Sequence, residues 1–391
     1  MFYSSSEKDI RKGNTSDIYF KRTAKILKSL GNNPEVVMEV FLKAFPKDYQ
    51  WGVYSGISEC ISLLEGLKGL DIFSLPEGKV FDRGQPLMVL RGKYLDFSLY
   101  ETSILGFLCH ASGIATKAAR IKRCAGKRSV YNFGARRAHP SITPMIERSA
   151  FIGGLDGVST PAGARLIGMD PVGTMPHALI LILGDTLQAL KAFDKVIEKD
   201  VPRIALIDTL NDEKFEAIRI AEGFEKGLYG IRLDTPGSRR GNIREIIEEV
   251  RWELKIRGHQ DIRIMLSGGL DEKDIFSLTD IVDAFGVGTS ISNARVLDFS
   301  MDIVEIEGKK ISKRGKSSGA KKVIRCKKCA SESTILFRQD TGSVKCPDCG
   351  GDCEDLFIQM ISGGRLIYKE PDPKKIRDRV KEELAIKDKN I

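Results

Sequence analysis

Ile262-Arg263-Ile264-Met265-Leu266-Ser267-Gly268-Gly269 and, one β/α unit later, Val282-Asp283-Ala284-Phe285-Gly286-Val287-Gly288-Thr289-Ser290 are the stretches on which the fold turns. Each is an apolar run of strand length that breaks into glycine and small residues. A strand that ends in glycine ahead of a helix exposes backbone N–H groups and the positive end of a helix dipole, and both attract phosphate. One such Gly-Gly alone is ordinarily a tight turn. Two strand-terminal copies in succession argue instead for a phosphate cradle, of the kind built after the last two strands of a (β/α) barrel.

Moving towards the N-terminus, the alternation continues. Strand candidates are Val130–Phe133, Leu155–Val158, Val172–Met175, Arg203–Asp208, Gly230–Asp234, Ile262–Leu266 and Ala284–Val287. Helical stretches such as Asp185–Lys199, Asp212–Lys226 and Ile243–Arg257 separate them. A repeat of roughly thirty residues suits right-handed βαβ crossovers. Seven candidates are too few to close an eight-stranded barrel. The expected fold is therefore α/β, an irregular, incomplete (β/α) barrel over residues 111–295, with an open doubly wound sheet as the alternative.

The front section, residues 1–110, reads as a separate α+β domain. Residues 15–30 have helical spacing, with Ser16 or Asp17 available as N-cap. Val36–Phe41 and Gln50–Tyr54 read as strands about a Pro46-Lys47-Asp48 turn, and Gly56–Leu67 as a helix. Leu75–Phe81 and Pro86–Gly92 read as paired strands about Arg83-Gly84, and Tyr100–Cys124 as a long helix. The strand-like segment 296–315 and the charged, helical tail 358–391 are expected to join this first domain. Ser312–Lys322 is a Gly/Ser/Lys stretch of low complexity and reads as a linker.

With 391 residues, 42% hydrophobic and 29% charged, the chain has the composition of a folded, multidomain protein. No apolar run reaches membrane-spanning length, and the N-terminus lacks the pattern of a signal peptide, so a cytoplasmic protein is expected. The formal charge of +9 permits nucleic-acid binding, although much of the excess clusters around 309–328. Cys60, Cys109 and Cys124 stand alone and read as small buried hydrophobes in a reducing compartment. The other five cysteines fall within a span of 28 residues. Among them, Cys326-Lys327-Lys328-Cys329 and Cys346-Pro347-Asp348-Cys349 are paired C-x-x-C knuckles, the spacing of a tetrahedral four-thiolate site. Residues 316–357 are thus expected to form a small zinc-ribbon-like domain with structural Zn2+, iron being the alternative metal. Cys353 is either a spare or an alternative ligand. The module has few aromatics at regular spacing for stacking bases, which makes a structural clip the plainer role.

In a β/α barrel the reactive side chains stand at the C-terminal ends of strands. Those ends carry Gly134, Arg136, Arg137 and His139, then Ser159 and Thr160, then Thr174 and His177. Asp208 and Asn211 follow, then Arg232 and Asp234, then the glycine loops. Polar residues at strand ends are often plain loop caps. Together, though, several cations, two carboxylates, a histidine and a phosphate cradle suit a phosphorylated sugar.

Five ordered segments carry a resemblance. Gly173-Thr174-Met175-Pro176-His177-Ala178 resembles the Gly-Thr-Met-x-His segment of the nicotinate phosphoribosyltransferases. Thr15-Ser16-Asp17-Ile18-Tyr19 is similar to that family's N-terminal Thr-Asp-x-Tyr, and Asn132-Phe133-Gly134-Ala135-Arg136-Arg137 to its arginine-bearing first barrel strand. Ile231-Arg232-Leu233-Asp234-Thr235 is similar to its Val-Arg-Leu-Asp-Ser, and Ala284–Thr289 to its last phosphate loop. The resemblance spans about residues 10–310 and leaves the cysteine module outside.

The resemblance implies transfer of phosphoribosyl from phosphoribosyl pyrophosphate to nicotinate, giving nicotinate mononucleotide for NAD synthesis. ATP hydrolysis would be coupled through phosphorylation of His177, with Mg2+ and ATP required. By the same resemblance, Tyr19 would stack on the pyridine ring, reaching across the interface of a homodimer or higher oligomer with shared active sites, and Phe133 would lie on the other side. Thr174 and Arg232 would contact nicotinate, and Arg136 nicotinate or pyrophosphate. Asp208 and Asp234 would hold ribose or magnesium-bound oxygens; Ser267, Gly268, Gly269, Gly288 and Thr289 would hold the 5′-phosphate. Gly157–Ala162 departs from the family's Gly-Thr-Ser-Asn type of segment, and Ser267-Gly268-Gly269 is also a variant. Ser159 and Thr160 offer no carboxylate to accept an amide N–H, which favours nicotinate over nicotinamide. Quinolinate, with two carboxylates, is the other alternative acceptor, and a zinc-ribbon nucleic-acid-binding protein is the alternative of another class. The expected partners are small molecules, with no membrane.

Overall fold

The computed structural model describes residues 2–224, 227–239 and 241–389. The chain forms two compact units, one of residues 1–116 with 295–391 and one of residues 117–294. Among the described residues no helix is long and apolar enough to cross a membrane.

The first unit is built on a seven-stranded antiparallel sheet. Its order is Lys309–Lys310, Phe299–Ile306, Glu35–Leu42, Pro86–Lys93, Asp71–Ser74, Ile358–Ser362 and Arg365–Leu366. Glu35–Leu42 is central because its residues are apolar on both faces. Val36, Met38, Val40 and Leu42 enter the main core, while Val37 packs with Val89, Val304 and Ala320 on the opposite face. The strand pairing differs from the hairpins expected from sequence. Trp51–Val53 pairs with Val80–Asp82, not with Glu35–Leu42, and Pro86–Lys93 pairs with Glu35–Leu42 and Asp71–Ser74. Local turn signals could not disclose partners so far apart in the chain. The helix Ile18–Ser29 begins after Asp17, which makes no side-chain cap; Ser16 instead hydrogen-bonds the carbonyl of Leu99.

Residues 312–322 are not a free linker. Lys313 pairs with Asp302, the Lys316 ammonium lies 4.1 Å from the Phe41 ring centroid, and Lys321 pairs with Glu39 at 3.2 Å. Asp302 and Glu39 are buried opposite one another in the sheet, so lysines that look like linker filler neutralise carboxylates that would otherwise be costly. Lys322 and Arg325 pair likewise with Asp355 and Glu332. Much of the local positive charge is therefore answered within the protein.

The second unit is a six-stranded, wholly parallel sheet flanked by helices. The order is Gly157–Val158, Ser129–Asn132, Ala284–Val287, Arg263–Ser267, Leu228–Leu233 and Arg203–Leu206. Its first and last strands do not pair, so the barrel stays open. Val172–Met175 is not a strand; only the Val172 N–H bonds the Val158 carbonyl, at 2.7 Å. Pro171 and Pro176 bracket the segment and Gly173 interrupts it, which leaves too few ladder groups. Parallel neighbours place Ser267 opposite Gly286 and bring Leu233 alongside Leu266, so all the strand ends open on one edge.

Candidate active site

The centre of the site is a set of side chains at that edge. Arg232, in Leu228–Leu233, is held on three sides. Nη1 donates to Thr174 Oγ1 at 2.9 Å, Nε to Ser267 Oγ at 2.9 Å, and Nη2 lies 3.2 Å from Asp234 Oδ2. Ser267 Oγ in turn donates to Asp234 Oδ1 at 2.7 Å. Burial lowers the pKa of Arg232, while Asp234 and Asp208 oppose that shift. Three of its five N–H donors are thus engaged, and among the described residues the other two have no bond. The guanidinium also stands 5.2 Å from the Phe133 ring centroid. That ring lies against Gly286, where a β-carbon would come within 2.5 Å of it, so only glycine permits this placement.

His177 opens the helix His177–Leu183, directly after Pro176, and does not end a strand. Its Nε2 is 3.6 Å from Asp234 Oδ2 and 3.8 Å from Asp208 Oδ2, and its Nδ1 is 2.9 Å from Thr209 Oγ1. Asp208 is the unusual member. Its side chain is 1% exposed, and neither carboxylate oxygen has a hydrogen-bond partner among the described residues. The backbone N–H groups of Asp208 and Asp234 lean towards it without closing a bond. Burial therefore raises its pKa, although the nearby His177 opposes the rise. A buried carboxylate without hydrogen-bond partners costs folding energy, and groups of this kind cluster at functional sites.

The glycine loops follow neighbouring strands, with Ser267 opposite Gly286 in the parallel ladder. Gly268 and Gly269 follow Ser267 in left-handed conformations, at φ +97° and +70°, which turn the backbone sharply at the strand end. The next helix, Glu272–Leu278, is capped by its own Asp271 and Asp274, so its first amides are already occupied. The dipole of that helix is therefore not what the strand end offers; the Gly268–Gly269 turn and the Gly288–Thr289 corner are the glycine positions next to the site. Ser267, Asp234 and His177 lie together, through the Ser267–Asp234 hydrogen bond at 2.7 Å and the His177–Asp234 approach at 3.6 Å. Ser267 differs from expectation in one respect: its hydroxyl is engaged by Arg232 and Asp234 within the protein.

Residues 17–112 match the N-terminal domain, and residues 114–302 the C-terminal domain, of the family described as quinolinate phosphoribosyl transferase. The crystal structure of nicotinate-nucleotide pyrophosphorylase from Pyrococcus furiosus shares 48% identity, covers 98% of each chain and superposes with a TM-score of 0.95. The chain belongs to this phosphoribosyltransferase family. A nicotinate phosphoribosyltransferase of Mycobacterium tuberculosis is 27% identical over 375 residues, covering 85% of this chain and 78% of that protein. Human nicotinic acid phosphoribosyltransferase, 18% identical with a TM-score of 0.74 over 95% of this chain and 94% of its own, shares the fold.

Several other strand-end residues of this phosphoribosyltransferase serve the scaffold. Asn211 donates to Glu216 at 2.7 Å. Ser159 and Thr160, in the variant segment, are both gripped by Glu147, which is fully buried and accepts from their backbone N–H groups and their hydroxyls. His139 caps a short 3-10 turn through its Nδ1, and Arg136 and Arg137 stand exposed on the preceding turn. Glu147 and Thr209 were not singled out from sequence. The Asp208-Thr209 pair directly after a strand was visible, whereas Glu147 sits mid-helix with no local signal.

Tyr19 lies in the first unit, on the helix Ile18–Ser29, and is 55% exposed with its ring 4.3 Å from that of Phe20. In the same unit the sulfurs of Cys326, Cys329, Cys346 and Cys349 all lie within 4.8 Å of one another, at 3.4 to 3.6 Å for the three closest pairs. A tetrahedron of thiolates at about 2.3 Å from a zinc ion has edges of about 3.8 Å, so the cluster can hold such a metal. Cys353 is opposite Cys326 in the strand ladder and outside the cluster.

Proposed function

We propose that the enzyme transfers phosphoribosyl from phosphoribosyl pyrophosphate to the ring nitrogen of nicotinate, releasing pyrophosphate and forming nicotinate mononucleotide for NAD synthesis. The observation that carries this reading is the Thr174–Arg232–Asp234–Ser267 array beside the buried Asp208, at the edge where both glycine loops begin. The name of the Mycobacterium tuberculosis relative agrees with it, and that of the Pyrococcus furiosus structure agrees with a reaction joining nicotinate nucleotide and pyrophosphate without naming the acceptor.

The pyridine nitrogen already bears a lone pair, so no general base has to create the nucleophile. Catalysis comes from stabilising the departing pyrophosphate and the positive charge that grows at the ribose C1. Asp208 and Asp234 supply negative charge for the ribose, and the Gly268–Gly269 and Gly288–Thr289 turns, where the three glycines carry no side chain to crowd the backbone, border the 5′-phosphate. The two uncommitted donors of Arg232 fit one carboxylate, which favours nicotinate over quinolinate; a second carboxylate would need another cation such as Arg136. Phe133 and, across a subunit interface, Tyr19 flank the ring in this reading. The hard oxygens of Asp208 and Asp234 suit Mg2+, which supplies charge neutralisation for pyrophosphate when bound. His177, set against two carboxylates, is the group for ATP-driven phosphorylation.

Zinc in the four-cysteine cluster, an oligomer with shared sites and a cytoplasmic location complete the proposal. The test is turnover of nicotinate, nicotinamide and quinolinate with phosphoribosyl pyrophosphate and Mg2+, with and without ATP. Nicotinate mononucleotide, increased by ATP, is expected. Carbon dioxide release would point to quinolinate, and no product from any of the three would reject the reading.

A further inference from the structure

Two consecutive residues address the two nitrogens of one imidazole. Asp208, joined by Asp234, faces Nε2 of His177, and Thr209 Oγ1 stands 2.9 Å from Nδ1. The His177 side chain is 40% exposed, so packing alone does not stop its ring from turning. Among the described residues, Thr209 makes the hydrogen bond that does so. Pro176, the residue ahead of the helix, offers no side-chain cap.

A neutral imidazole has one donor and one acceptor nitrogen, and the partner of each decides which is which. A lone pair on Nε2 would point at two carboxylates, whereas an N–H there is attracted by both. Nδ1 is then the acceptor, and a hydroxyl can donate to it. Because a hydroxyl also accepts, Thr209 can keep its contact when the ring becomes doubly protonated. A valine would fill the same volume and offer neither bond.

We propose that Thr209 is the positioning residue of His177, fixing the rotation of the ring and the tautomer in which Nε2 carries the proton and Nδ1 the lone pair. The consequence for ATP coupling rests on the reading of His177 given above; the tautomer itself does not.

The experiment uses the intact 15N-labelled protein and a long-range 1H–15N correlation spectrum of its histidine rings, with His177 identified by its loss in His177→Asn. The expected spectrum has His177 protonated at Nε2 with a separate acceptor signal for Nδ1. Thr209→Ser keeps that pattern, and Thr209→Val gives averaged signals from a ring sampling both tautomers. In parallel, the ATP-stimulated increment of transfer falls by about 10- to 100-fold in Thr209→Val and recovers in Thr209→Ser. A wild-type ring protonated at Nδ1, or a Thr209→Val spectrum like that of wild type, overturns the assignment. The expected spectra with an unchanged ATP response would uphold the positioning role and reject instead the phosphohistidine reading.

Discussion

Replacing Glu383 tests how the cysteine module and the C-terminal helix Pro373–Lys389 are held to the first unit. Ile376, Val380 and Glu383 lie on one face of that helix and are all buried. Glu383 meets Lys79 at 2.8 Å and Arg325 at 2.6 Å, while Glu332 meets the same two cations at 2.9 and 2.7 Å. The quartet is neutral and enclosed, with Lys79 only 3% and Glu383 9% exposed at the side chain. It borders a cavity of about 490 Å³ that Cys329 and Asp348 of the cysteine module also line. At an effective dielectric of about 20, unit charges about 4 Å apart attract by about 4 kcal/mol, offset in large part by desolvation. Glu383→Ala leaves two buried cations facing one carboxylate, which should cost about 3–5 kcal/mol. At about 2 °C per kcal/mol for a chain of this size, the melting temperature falls by about 6–10 °C. Lys79→Met with Glu383→Leu removes one charge of each sign and keeps Arg325 with Glu332, so it should lie within about 1 kcal/mol of wild type. Melting curves, together with tryptic cleavage rates at Lys374, Lys375 and Arg379, measure both effects. If Glu383→Ala melts like wild type, or if the double variant shows the sum of its two single effects, the quartet is not a coupled unit.

The same quartet has an acid limit. Burial would push Glu332 up, but the charge and hydrogen bonds of Lys79, with those of Arg325 and Gln85, outweigh it and hold the carboxyl below its ordinary 4.5. Its contribution is therefore complete above pH 4.5 and is lost as pH falls through the lower folded value, so melting temperatures should drop there less steeply in Lys79→Met. Asp208 has the opposite sign, because burial raises its pKa and the charged form destabilises the unliganded protein as pH rises above 3.8. Asp208→Asn should stabilise the protein by about 1–2 kcal/mol at pH 7, an advantage that vanishes below about pH 3.8, while activity falls at least about 100-fold. A variant both less stable and active would refute the ligand role of that carboxylate. Gly286→Ala should displace the Phe133 ring and cost about 1–3 kcal/mol, with a higher KM for the pyridine substrate; unchanged kinetics would separate that ring from the site. Cys346→Ser, or a strong chelator, should expose 326–353 to protease while the 117–294 unit stays resistant, as peptide mapping would show.

Sequence alone determined what local chemistry can encode. The glycines that follow Ser267 and Val287 announced strand ends. The β/α period announced a parallel sheet, and two C-x-x-C knuckles announced a thiolate cluster now seen with sulfurs 3.4 to 3.6 Å apart. Even His177 and Asp208 were legible, since each stands where a short motif ends. Tertiary structure alone decided partnerships between residues with no local signal. Arg232 with Thr174 and His177 with Thr209 are 58 and 32 residues apart, and Lys79 with Glu383 is 304 apart. It also decided that lysines of an apparent linker neutralise buried Glu39 and Asp302, and that a proline-flanked Val172–Met175 stays out of the sheet. The division has one cause. Turn and strand propensities act over a few residues, whereas the worth of a charge or hydroxyl depends on burial and on what chain closure sets opposite it.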